Sequence, residues 1–145
     1  MQRVLCAILW WLSATGSLHA EPVTPAPAIL TAAQVEGDSR LTDKGLYRVT
    51  FHSPAVVAVN RYQTWGIYIE DAAGAALDGA ALKVSAEMPA HVHGLLTEPR
   101  ITPGSAPGRY RVEGLRFHMP GYWEIRIQLD QAGKQDGLVL PVELE

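Results

Sequence analysis

Two short stretches hold most of the side chains able to bind a soft metal ion. "EMPAHVHG", residues 87–94, carries Met88, His91 and His93, and "FHMPG", residues 117–121, carries His118 and Met119. Met1 apart, these are the chain's only methionines, and of its five histidines only His19 and His52 lie elsewhere. Imidazole suits copper, zinc and nickel, whereas a thioether favours Cu(I). Residues two apart on an extended backbone project to the same side, so His91 and His93 are expected to reach one ion together. His118 then supplies a third imidazole and Met88 or Met119 a soft ligand, provided that the two stretches open on the same edge of the fold. The competing reading is structural. By phase Met88 continues the face of Leu82, Val84 and Ala86, and Met119 that of Leu115 and Phe117, so both thioethers can equally fill gaps in a core. By the same count His118 shares an outer face with Arg116.

The compartment in which such chemistry would run is written at the N-terminus. Arg3, the apolar run Val4–Leu12 and the small and polar residues up to Ala20 read as a cleavable signal peptide over 1–20. The apolar run is about half of the ~20 residues a spanning helix needs, so no stable membrane anchor is expected after cleavage. The expected location is the periplasm. The one cysteine, Cys6, falls inside this run, and the exported chain keeps neither a disulfide nor a thiolate. Soft-ligand chemistry then falls to methionine.

Removing residues 1–20 leaves eleven basic against fifteen acidic residues, spread without runs of one sign. Nucleic acid and anionic lipid are not the partners that such a surface selects. The chain also has no Gly-x-Ser-x-Gly, no phosphate-cradling glycine loop and no His-Glu-x-x-His, and its carboxylates are too scattered to mark an acid–base pair. No enzymatic activity is expected.

The elements that must position the imidazoles are strands. Prolines 22, 25 and 27 mark 21–43 as a proline-rich linker, and from residue 44 to 145 the pattern has period two. Tyr47, Val49 and Phe51 share a face, as do Trp65, Ile67 and Ile69; Trp123, Ile125, Ile127 and Leu129; and Leu138, Leu140, Val142 and Leu144. Turn residues separate these runs, and Pro99–Gly108 reads as a loop. The expectation is an all-β domain, an immunoglobulin-like two-sheet antiparallel sandwich of about seven strands, with Trp65 in its core. Gly114 falls where the inward phase slips by one residue, from Tyr110 and Val112 to Leu115 and Phe117, as a β-bulge allows.

The ordered series "DAAG…DGAALKV…MPAHVHG…TEPR…GRYRVEGLRFHMPGYWEIRIQL", with Trp65 ahead of it, resembles the YtkA-like and FixH-like group of small exported bacterial β-sandwich domains. The resemblance runs from about Thr64 to Leu129, and the pairing of "MPAHVHG" with "GLRFHMPGYWE" is its most specific part. FixH-type proteins are associated with assembly of copper-containing terminal oxidases, and related domains are described as copper-binding. The resemblance therefore implies a periplasmic sandwich with a copper site at Met88, His91, His93, His118 and Met119, working in metal uptake, transfer or metalloprotein assembly. FixH proteins carry an N-terminal membrane helix, which the short run Val4–Leu12 does not match. The alternative is a non-catalytic interaction module that docks on another envelope or respiratory-complex protein without a metal, through "AHVHGLL".

Overall fold

The computed structural model describes residues 26–145. The expected signal peptide and the first residues of the expected linker lie outside them. The described chain forms two facing sheets of five strands each, in the arrangement of a β-sandwich. One sheet contains β1 (Leu30–Thr31), β10 (Lys134–Leu144), β9 (Gly121–Gln131), β5 (Ala81–Met88) and β6 (His93–Gly94), in that spatial order. The other contains β2 (Ser39–Leu41), β3 (Tyr47–His52), β4 (Gln63–Asp71), β8 (Arg109–Leu115) and β7 (Arg100–Pro103). Every pairing is antiparallel except β1 with β10.

The strands form where the alternation predicts them, because each long strand has one face to bury and one to solvate. Tyr47, Val49 and Phe51 of β3, Trp65, Ile67 and Ile69 of β4, and Trp123, Ile125, Ile127 and Leu129 of β9 all point into the core. They meet Val84, Ala86 and Met88 of β5 and Leu138, Leu140, Val142 and Leu144 of β10. Trp65 lies on the central strand of its sheet, against Phe117 at 5.9 Å between ring centroids. The bulge falls at Gly114. Gln63 pairs with Leu115 and Thr64 with Glu113, leaving Gly114 unpaired at φ +87°, a conformation glycine adopts without the penalty of a side chain.

The two-sheet sandwich is as expected, and of its ten strands among the described residues β1, β2, β6 and β7 have only two to four residues. Two boundaries need correction. The sandwich begins inside the segment expected to be a linker. Leu30 pairs with Val142, Arg40 pairs with Val49, and Val35 between them is fully buried. The loop expected over Pro99–Gly108 likewise contains β7, paired with β8 from Arg100↔Glu113 to Pro103↔Tyr110. Segments of two to four residues are too short for alternation to show, and their pairing is decided by distant partners.

Candidate metal centre

The His91–His93 pair is set by a proline. β5 ends at Met88, where Pro89, lacking an N–H, opens a single 3-10 turn over Pro89–His91. Val92 follows in the left-handed region at φ 55°, and the chain returns as β6, pairing Met88↔His93 and Glu87↔Gly94, with the Leu95 amide donating to Ala86 O at 3.0 Å. The backbone is therefore a tight reversal, not the extended run that the spacing suggested. The two imidazoles still come to one side, stacked at 6.3 Å between centroids with 12° between planes. A β-branched residue at positive φ costs on the order of 1–2 kcal/mol. Val92 accepts that cost while 93% exposed, so packing in the fold does not offset it.

His118 arrives on the connection from β8 to β9, which crosses from one sheet to the other. Beyond the Gly114 bulge, Leu115 and Phe117 turn inward, and His118 lies half-buried with its ring edge-on to Trp123, 5.4 Å away at 84°. Trp123 is held in turn by its Nε1–H donating to Met119 O at 3.0 Å and by Phe117 at 5.3 Å. The end of β8 and the β5–β6 reversal meet at the same pole of the sandwich, and His118 stands 6.1 Å from His93. Convergence of the two sequence stretches is thus a property of the fold.

His118 Nδ1 is shielded from solvent and makes no hydrogen bond within the protein.

Few charged side chains lie close to the imidazoles in sequence. Met88–Thr97 holds no Asp, Glu, Lys or Arg, and Leu115–Trp123 holds only Arg116. The Arg116 guanidinium donates to Asn60 Oδ1 at 3.1 and 2.6 Å and lies 5.4 Å from the centre of the Tyr62 ring. The nearby carboxylates Glu87 and Glu124 are both bonded to Arg126 at 2.6 Å. Among the described residues no carboxylate pairs with His91, His93 or His118, whereas His52 faces Glu36 Oε1 at 3.2 Å.

The donors have not closed around a point. With metal–nitrogen bonds of about 2.0–2.1 Å, two imidazoles on one ion have ring centroids roughly 5–6 Å apart. The separations of 6.1 and 6.3 Å lie at or just beyond that limit. Among the described residues no group of three or more His, Cys, Asp and Glu side chains is close enough to hold an ion as the side chains stand. Rotation of the exposed His91 and His93 is the movement that closing requires.

The two thioethers separate. Met88 is 2% exposed and belongs to the core, its Cε only 3.1 Å from where a Cβ on Gly121 would lie. Its phase with Val84 and Ala86, and not its proximity to histidine in sequence, decided its place. Met119 is half-buried, packed against the core beside His118. Sequence reasoning missed Trp123 as the floor of the site; its place directly after "HMPGY" was the available signal.

No curated protein matches the chain. Among solved structures, the ZirS C-terminal domain is similar at 16% identity over 95% of this chain and 94% of its own, with a TM-score of 0.41. The YtkA-like family model matches residues 43–128, from the turn before β3 to within β9, and so spans the bulge, the reversal and all three imidazoles. On that match, which covers more than half of the sequence, the chain belongs to the YtkA-like family.

Proposed function

We propose that this is an exported, non-catalytic copper-binding protein that takes up or hands on the metal in the periplasm. His91 and His93 ligate from the reversal after β5, and His118 ligates from the end of β8. The observation that carries the reading is the position of His93, 6.3 Å from His91 and 6.1 Å from His118. The reading is supported by the absence, among the described residues, of any carboxylate paired with these imidazoles, the nearby Glu87 and Glu124 being engaged by Arg126. Imidazoles alone suit copper and zinc alike. Met119 beside His118 tilts the set towards copper, whose reduced form takes thioether.

An ion that binds only the folded chain raises its melting temperature. At a hundredfold excess over Kd the gain is about 2.7 kcal/mol, roughly 10 °C for a domain of this size. Thermal denaturation with and without Cu(II), and with Cu(I) under reducing conditions, is expected to show that shift, and the double variant His91→Ala, His93→Ala is expected to lose it. Both side chains are exposed, so the variant folds normally. An unchanged shift in the variant removes the site. No shift with either ion favours a metal-free interaction module presenting Val92 and Leu96, which are 93% and 72% exposed.

A further inference from the structure

We infer that the open edge of β5 takes an extended segment of another protein as an added strand, with apolar side chains turned into the groove beside β7 and an acidic one opposite Lys83. The inference does not depend on the metal reading.

Backbone direction carries the argument. The Leu95 amide donates to Ala86 O at 3.0 Å, so Ala86 turns its peptide groups away from β9 and towards the β6 side. Direction alternates residue by residue in an antiparallel ladder, so Leu82 and Val84 present their N–H and C=O groups along that same edge. β6 ends at Gly94, and beyond Leu95 the chain runs to the other sheet, where Thr97 Oγ1 donates to Gly114 O at 2.7 Å. At the opposite end the Ala80 amide donates to Tyr110 Oη at 3.0 Å. The edge is thus capped at both ends. Among the described residues no hydrogen bond reaches Leu82 or Val84 on that side. A row of unpaired main-chain donors and acceptors is matched by another β-strand. From Leu82 to Ala86 the slot is about 14 Å long, room for about five extended residues.

Side chains select which strand. The edge borders a groove of about 700 Å³ between the two sheets. Leu82, Leu95 and Ile101, each half-buried, give it apolar walls. Alternate residues of an added strand would turn into the groove, and those between them would lie on the outer face beside Lys83. Lys83 is exposed and forms no ion pair among the described residues. A carboxylate directly across from it is the complementary side chain. Elsewhere the sheet margins are blunted. β7 carries Pro103, β2 has three residues, and β10 is covered by β1 and by the Asp43 amide donating to Gly137 O at 2.7 Å.

NMR titration of the protein with the blocked peptide Thr-Val-Asp-Val-Thr tests the inference. At saturation, amide hydrogen exchange at Leu82 and Val84 is expected to slow about tenfold or more, because both N–H groups gain a carbonyl partner. Methylating the two valine nitrogens of the peptide is expected to abolish binding. Replacing its aspartate by lysine is expected to weaken binding about threefold or more, and the exposed change Lys83→Glu is expected to reverse that preference. Unchanged exchange at Leu82 and Val84 overturns the added strand, as does equal binding of the methylated peptide. The same preference in Lys83→Glu as in wild type overturns the acidic partner. Slowed exchange without peptide, together with a doubled mass at rising protein concentration, puts a second copy of this chain on the edge and overturns the foreign segment.

Discussion

Asp136 is 8% exposed and faces the turn that enters β3. Its carboxylate accepts hydrogen bonds from Thr42 Oγ1 at 2.6 Å, from the amides of Lys44 and Leu46, and from the Gly137 amide at 2.8 Å. Burial alone pushes this carboxyl up, but the hydrogen bonds outweigh it and hold the group below its ordinary 3.8. A depressed folded value means that ionised Asp136 stabilises the fold fully above the unfolded value, and that this contribution is lost as pH falls through the folded one. Asp136→Asn is expected to cost about 1–3 kcal/mol at pH 7, since an amide keeps one acceptor but presents the buried amides with a badly matched donor. The difference from wild type should shrink as pH falls from the ordinary carboxyl value of 3.8 towards the lower folded one, since the unfolded chain then takes up the proton first. Urea unfolding at several pH values measures it, and a constant difference down to pH 3 would show that the charge is not what the turn uses. Asp136 was not legible in the sequence. Among scattered carboxylates nothing in "KQDGLVL" announces that four donors converge on one of them.

Strands became legible in proportion to how much of one face they bury. In β3, β4, β9 and β10 three or more alternate side chains are buried, and period two in the sequence reports that burial directly. The Gly114 bulge was legible for the same reason: a slip in phase between Val112 and Leu115 has no other cheap solution on a strand packed on one side. β1, β2, β6 and β7 were not, and the prolines before Leu30 made the first two read as a tether. Val35 tests the correction. It lies between β1 and β2 with no exposed surface, so Val35→Ala should cost about 2 kcal/mol through lost burial and the cavity left behind. In a solvated linker the same change would leave the midpoint of urea unfolding where it was. Loss of stability with an unchanged slope would place residues 30–41 within the cooperative unit.

The fold's contribution to the site is to bring one end of each sheet to a common pole, and no local pattern carries that information. Spacing alone could say that His91 and His93 share a side. That His118 lies 6.1 Å from His93, with Trp123 beneath it, follows from two sheets closing over a core in which Trp123, Phe117 and Trp65 pack in succession at 5.3 and 5.9 Å. The same packing supplies an optical reporter. The His118 ring lies 5.4 Å from the Trp123 indole, whereas Trp65 lies behind Phe117. Cu(II) quenches indole emission steeply with distance, so an ion held by the three imidazoles should darken Trp123 far more than Trp65. Titration with Cu(II) is expected to quench wild type, and Trp123→Phe, which keeps a ring against Phe117 and His118, is expected to lose most of that response. The wild-type-minus-variant difference also removes any contribution from Trp10 and Trp11 if the leader is retained. His118→Ala should reduce the quenching without shifting the unquenched spectrum, because the indole keeps its hydrogen bond to Met119 O. Equal quenching in wild type and Trp123→Phe would put the ion away from this pole and dissociate the imidazole cluster from the metal.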